Sequence, residues 1–186
     1  VGGAKNTASN ATGSCDSLSF IAGGFANKIT GSVHNAFIGS GICNFISGSD
    51  PNMSLYGQCA QTIVGGTSNC IISSNHNNHN FIGGGRNNII CGQGAAKFQA
   101  TACSFPGRNV IVGGSSNRMT VCSVASQYHN GGAGHNFIGA ALGGKICCND
   151  LSAIVGGHSN TITCTGGSNF IGSGNANHIT RAIASS

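Results

Sequence analysis

One short phrase recurs from one end of the chain to the other, and a chain written that way stacks its copies instead of folding around a single centre. Its clearest copy is Asn169-Phe170-Ile171-Gly172-Ser173-Gly174-Asn175-Ala176-Asn177-His178-Ile179-Thr180. With the first Ile of that phrase as position zero, the equivalent residues are Ile21, Ile38, Ile63, Ile82, Ile111, Ile138, Ile154 and Ile171. The steps between them are 17, 25, 19, 29, 27, 16 and 17 residues, a basic repeat lengthened by insertions. A ninth copy opens the chain in mid-phrase, at Val1-Gly2-Gly3-Ala4-Lys5-Asn6-Thr7-Ala8.

Each repeat reads as two short strands joined by a turn. Position plus eight is Ile29, Ile46, Ile71, Ile90, Met119, Ile146, Ile162 and Ile179. Such uniformity within one chain marks buried, shape-restricted sites, and β-branched Ile favours strands. Positions plus two and plus three, such as Gly23-Gly24 and Ser40-Gly41, read as a turn. Position plus six is Asn27, Asn44, Asn69, Asn88, Asn117, Asn160 and Asn177, with Gly144 as the substitute. Asn and Gly both tolerate positive φ, so a left-handed residue is expected there; a stacked Asn ladder is the alternative.

The two strands differ in what their faces meet. Phe20, Phe37, Phe81, Phe137 and Phe170 directly precede the first Ile. Neighbours along a strand point to opposite faces, so Phe beside Ile implies burial on both sides. In the second strand the inward Ile has polar flanks, as in Lys28-Ile29-Thr30 and Thr161-Ile162-Thr163, which implies one-sided burial. A thin coil cannot cover its own Phe face, so that face is expected to meet further copies of the chain.

The fold class expected is all-β: a β-roll or β-helix solenoid of about nine coils, ~43 Å tall at ~4.8 Å per coil. The whole of 1–186 reads as one domain. Insertions fall at about 48–60, 92–108 and 121–135, and they hold both Pro and both Tyr. Insertions in solenoids loop out on a surface and often carry binding. Tyr56, Lys97, Tyr128 and His129 are the candidate contact residues. The copy at Ile138 departs most from the pattern, with Ala140-Ala141 for Gly-Gly, and is expected to alter its turns without breaking the solenoid.

Ten Cys point to a secreted, cell-surface or virion setting. Cys148 and Cys164 each lie ten residues after their first Ile in consecutive repeats, so stacking brings them within disulfide range. Cys91 and Cys103 could close one insertion; free core thiols are the alternative for all of these. No run is long and apolar enough for a membrane span. The opening Val, in mid-repeat, suggests a processed or partial chain.

Composition argues against several activities. Glu is absent, and Asp16, Asp50 and Asp150 fall in different repeats, which leaves no paired carboxylates for acid–base chemistry. No nucleophile elbow and no Gly-Lys-Ser/Thr phosphate loop occurs. The net charge of +5 comes from scattered Lys and Arg, not from a basic tract, so no nucleic-acid partner is expected. His76 and His79 lack the further ligands that zinc wants, and His79, Arg108 and His135 share one repeat position, more a polar site than a metal row. No cofactor is called for. Two sequons, at Asn10 and Asn52, permit glycosylation in a secretory pathway.

Stretches such as Val1 to Ser9 and Phe20-Ile21-Ala22-Gly23-Gly24-Phe25-Ala26-Asn27-Lys28-Ile29-Thr30-Gly31 resemble the Gly/Asn/Ser repeats of trimeric β-roll heads. Those occur in autotransporter adhesins of the YadA and haemagglutinin-repeat type, and similar arrays occur in phage tail-fibre and large-DNA-virus surface proteins. The resemblance covers most of the chain. It departs in its longer repeat, its insertions and its Cys, which favours a viral or eukaryotic fibre over a bacterial adhesin. It implies a homotrimer.

The expected function is a non-enzymatic structural or adhesive fibre or spike component of a cell or virion surface. Its partners would be itself, other fibre or capsid proteins, or a cell-surface receptor. The alternative is an extracellular filament or matrix subunit that stacks on itself. An ice-binding solenoid comes third: Thr30, Thr120, Thr163 and Thr180 align, but only Thr161/Thr163 fills both outward positions.

Overall fold

The computed structural model describes residues 2–10, 18–31, 33–49, 58–74, 79–93, 108–122, 135–148, 151–163 and 168–180. These form an all-β solenoid of two principal parallel sheets, and no helix occurs among the described residues. Sheet 1 has nine strands: β1 (Thr7–Asn10), β3 (Lys28–Gly31), β6 (Phe45–Ser49), β9 (Cys70–Ser74), β11 (Ile89–Gln93), β13 (Arg118–Cys122), β15 (Lys145–Cys147), β17 (Thr161–Thr163) and β19 (His178–Thr180). Sheet 2 has eight: β2 (Phe20–Ile21), β5 (Phe37–Ile38), β8 (Thr62–Ile63), β10 (Phe81–Ile82), β12 (Val110–Ser115), β14 (Phe137–Leu142), β16 (Ser152–Ile154) and β18 (Asn169–Ile171). Each sheet runs in coil order: eight coils give one strand to each sheet, and the opening coil gives β1 to sheet 1.

Register follows the repeat. Ile21 pairs with Ile38 and Ile38 with Ile63 in sheet 2, while Ile29 pairs with Ile46 and Ile46 with Ile71 in sheet 1. The inward Ile columns of both sheets merge into one core in which Ile21 through Ile162 are sealed from solvent, Ile171 is nearly so, and Ile179 packs at the rim. Each such Ile contributes ~1.5–3 kcal/mol of transfer free energy, so the core is a sum of like increments along the axis. Met119 fills the same inward site as its Ile neighbours.

Between its two strands each coil makes a third contact at position plus four. Ala4, Phe25, Ile42, Thr67, Arg86 and Ser115 are bridged in succession, and the column continues through Leu142, His158 and Asn175. The turn is therefore two corners with a bridged residue between them. Gly41 shows why the first corner takes glycine: its φ is 103°, and a Cβ there would collide with the Gly66 carbonyl oxygen.

The second corner corrects one expectation. The left-handed residue is at position plus five, as in Ala26, Cys43, Ser68, Asn87, Ser116, Ser159 and Ala176. The Asn one residue later is a buried ladder. Asn27 donates through Nδ2 to Gly23 O in its own coil and Gly41 O in the next, and its Oδ1 accepts the Asn44 backbone N–H at 2.9 Å. Asn44, Asn69, Asn88 and Asn117 repeat the arrangement. Asn160 and Asn177 continue it. Inward-pointing amides satisfy corner carbonyls that are partly withdrawn from water.

In the Ile138 copy the turns are altered and the stack is unbroken. β14 runs on through Ala140-Ala141 in register with β12, and Lys145 still pairs with Thr161. The first insertion is not all loop, because β7 (Gln58–Cys59) lies within it and pairs with β4 (Val33–His34).

Candidate functional site

The surface worth weighing is the outer face of sheet 2. Inward residues of that sheet are the Ile at position zero and the residue two before it, which is polar in most coils and Ala36 in the coil of β5. Gln61, Asn80, Asn109, Asn136 and Ser152 at that second position are buried and chained: Asn80 Nδ2 to Gln61 Oε1 at 2.9 Å, Asn109 Nδ2 to Asn80 Oδ1 at 3.0 Å, Asn136 Nδ2 to Asn109 Oδ1 at 3.1 Å. Ser152 N–H then donates to Asn136 Oδ1 at 3.1 Å. This second ladder was missed in the sequence, although strand parity places it on the Ile side. It anchors the strand so that the odd positions, minus one and plus one, must point outward.

Those outward positions carry a pattern. Phe20, Phe37, Phe81, Phe137 and Phe170 at minus one are followed at plus one by Ala22, Gly39, Gly83, Gly139 and Gly172. In the remaining strands Thr62, Val110 and Ala153 at minus one are followed by Val64, Val112 and Val155. The rings of Phe37, Phe81 and Phe170 lean along their strands toward the glycine. The Cε1 atoms of Phe37 and Phe81 lie 3.4 and 3.3 Å from where a Cβ would stand on Gly39 and Gly83. Phe20 and Phe37 stack with ring centroids 6.0 Å apart.

Within one chain this face is open. Phe20 is 53% exposed, Phe137 36% and Phe170 67%, and Val64, Val112 and Val155 are 45–48% exposed. Phe37 and Phe81 are half-buried. At positions minus one and plus one of sheet 2 no residue is ionisable, and Thr62 is the one hydroxyl. A monomer has no need of so continuous an apolar strip, and strips of this kind mark contact surfaces.

The outer face of sheet 1 is different. Lys28, Arg118, Lys145 and His178 stand out from it, exposed, in one column, and Arg118 Nε donates to Thr120 Oγ1 at 3.3 Å. Its middle is less polar: Phe45, Cys70, Ile72, Ile89 and Cys91. Burial, then the neighbouring Cys91, pushes the Cys70 thiol up to about 11. The outward Thr do not make a regular two-column array, since Thr161 faces Lys145 on one side and His178 on the other.

The cysteines need one correction. Cys91 is a free thiol, as are Cys43 and Cys70, so the expected Cys91–Cys103 closure is not formed. Stacking sets Cys91 beside Ile72 of β9, close to Cys70. Cys103 and Cys164 lie outside the described residues, as do Tyr56, Lys97, Tyr128, His129 and His76. His79, Arg108 and His135 are exposed corner residues with φ of 58–60°. Among the described residues no three His, Cys, Asp or Glu come together as a metal site. No helix among them is long and apolar enough to cross a membrane.

Fold and surface together define a parallel β-solenoid with one unpartnered apolar flank. No family model, characterised protein or solved structure matches the chain.

Proposed function

We propose that this chain is a non-enzymatic structural component of an extracellular fibre or spike, on a cell or virion surface, and that its copies associate through the outer face of sheet 2. The observation that carries this is the contrast between the two outer faces: uncharged, and apolar but for Thr62, at positions minus one and plus one of all eight strands of sheet 2, cationic and hydroxylated at both ends of sheet 1. Strands that are apolar on both faces belong to sheets covered on both sides. Three copies is the number the resemblance to β-roll heads implies.

The insertions support an adhesive role. Each begins in the last residues of a sheet 1 strand (β6, β11 or β13) and ends before the next sheet 2 strand (β8, β12 or β14), so all three interrupt the same connection of the coil. Tyr56, Lys97, Tyr128 and His129 would then be presented along one edge to a receptor, or to other fibre or capsid proteins. A Cys148–Cys164 bridge would tie neighbouring coils in an oxidising compartment.

Light scattering with and without reductant tests this reading. About three times 18.4 kDa, unchanged by reductant, supports it. A monomer removes the sheet 2 interface. Large heterogeneous particles favour instead a filament or matrix subunit.

A further inference from the structure

We infer that the outer face of sheet 1, over the four coils of β13, β15, β17 and β19, binds a linear anionic polysaccharide laid along the solenoid axis. This goes beyond the association proposed above, uses the other sheet, and is tested separately from it.

Register builds the surface. Lys145 pairs with Arg118 on one side and with Thr161 on the other, and Thr161 pairs with His178. Arg118, Lys145 and His178 are exposed, and Thr161 partly so. Two residues further along each strand, on the same face, Thr120, Cys147, Thr163 and Thr180 make a second column. One column therefore offers two cations, a hydroxyl and an imidazole, and the other offers mainly hydroxyls, at ~4.8 Å per coil.

The two cations are not used within the chain. Arg118 Nε donates to Thr120 Oγ1 at 3.3 Å, and the terminal nitrogens of its guanidinium have no partner among the described residues. The Lys145 ammonium has none among them either, and they include no carboxylate side chain. Like charges directly opposite each other on neighbouring strands oppose folding. The chain has only eight Lys and Arg to place, yet two of them stand in this relation. Lys28, in the same column at the other end of the sheet, avoids it, because its partners there are Thr7 and Phe45. A repelling pair with its donors unspent has the makings of an anion site.

The layout sets the class of anion. A column one residue wide on a rigid sheet suits a linear ligand whose charge repeats along its length. A pyranose ring is about as long as one coil step. An unbranched acidic chain can therefore set sulfate or carboxylate groups on Arg118 and Lys145 and ring hydroxyls on the Thr column. The guanidinium fork accepts a pair of oxygens from either group. Single-stranded nucleic acid needs aromatic platforms for its bases, and Phe45, the Phe of this face, stands three coils from Arg118. An anionic membrane asks for apolar anchors beside the cations, and Thr fills those positions here.

The test titrates the full chain at low salt with two probes, a heparin hexasaccharide for sulfate and a galacturonan hexasaccharide for carboxylate, and reads affinity by calorimetry. Binding of at least one is expected, and the tighter of the two identifies the anion. Arg118→Thr combined with Lys145→Thr should weaken it by about tenfold or more. Lys145→Arg, which keeps the charge, and Lys28→Thr should each change it by less than about twofold. Without ligand the double variant should melt no lower than the parent, which keeps a folding defect apart from a binding defect. Should it melt lower, Lys145→Thr alone carries the comparison, with an expected loss of about threefold or more. Failure of both probes to bind the parent overturns the inference. So does a loss in Lys28→Thr as large as in the double variant. A single-stranded oligonucleotide or phosphatidylserine vesicles bound more tightly than both hexasaccharides, and released by the double variant, would assign the surface to nucleic acid or to membrane and overturn it too. A monomeric mass in solution would remove the sheet 2 association and leave this result standing.

Discussion

Asn69 donates its backbone N–H to Asn44 Oδ1 at 3.0 Å, across two coils whose residues are 25 apart in the chain. The same Asn44 donates from Nδ2 to Ser40 O and to Gly66 O, each at 3.0 Å. One buried amide therefore makes three hydrogen bonds, two of them between coils. Asn44→Ala should cost about 3 kcal/mol or more, because it leaves buried backbone groups without partners. Asn44→Asp keeps the shape but replaces donors by an acceptor facing two carbonyl oxygens, and should cost at least as much. Urea unfolding would separate the two causes: a harmless Asp variant would mean that volume, not hydrogen bonding, matters at this site.

Gly144 replaces Asn in the same column, so consensus reasoning would restore Asn there. The structure predicts the opposite result. Gly144 N–H already donates to Asn117 Oδ1 at 2.8 Å, and a Cβ on Gly144 would sit 3.0 Å from that oxygen and 3.3 Å from the Ala141 Cβ. Gly144→Asn should destabilise by about 1–3 kcal/mol through overpacking. A melting temperature at or above that of the parent would refute this.

Much of this was legible in the sequence, for identifiable reasons. The Ile columns were readable because an inward site between stacked parallel strands sees nearly the same surroundings in every coil, so Ile21 and Ile154 answer to one constraint. The open Phe face was readable from strand parity alone. The Asn column allowed two readings, a left-handed corner or a stacked ladder, and the ladder is what forms: Ala26, Cys43 and Ser68 take the positive φ while Asn27, Asn44 and Asn69 turn inward to bond. Residue type alone could not choose between them, because a short amide suits either role. The Cys91 pairing was inferred from sequence proximity to Cys103, whereas stacking gives Cys91 a neighbour, Cys70, that is 21 positions away in the chain.

That neighbour leads to a pH prediction. The Cys70 thiol is raised from its ordinary value of 9.0 to about 11, mainly by burial. A raised value means the folded chain holds this proton where the unfolded chain releases it. The stabilisation is complete below pH 9 and is lost as pH climbs from 9 to about 11. Cys70→Val should flatten that part of the stability profile. Cys70 should also react with iodoacetamide at pH 8 far more slowly than the exposed Cys43, as read by peptide mass spectrometry. Equal labelling of the two would contradict the burial assigned to Cys70.

Arg118 and Lys145 are direct partners in sheet 1, both exposed on the same face, one coil apart. No carboxylate side chain occurs among the described residues, and Arg118 turns to Thr120 on its own strand instead. Like charges placed opposite each other on adjacent strands repel, by an amount that water and salt reduce. Lys145→Thr, which copies Thr161 of the next coil, should raise stability by a few tenths of a kcal/mol. Lys145→Glu, which creates an opposite-charge pair, should raise it by up to about 1 kcal/mol. Both gains should shrink in molar salt, where the Debye length falls to ~3 Å. Thermal melts at low and high salt give the comparison. If the order of Lys, Thr and Glu is the same and equally spaced in both, strand propensity and not charge sets the effect, because propensity does not respond to screening.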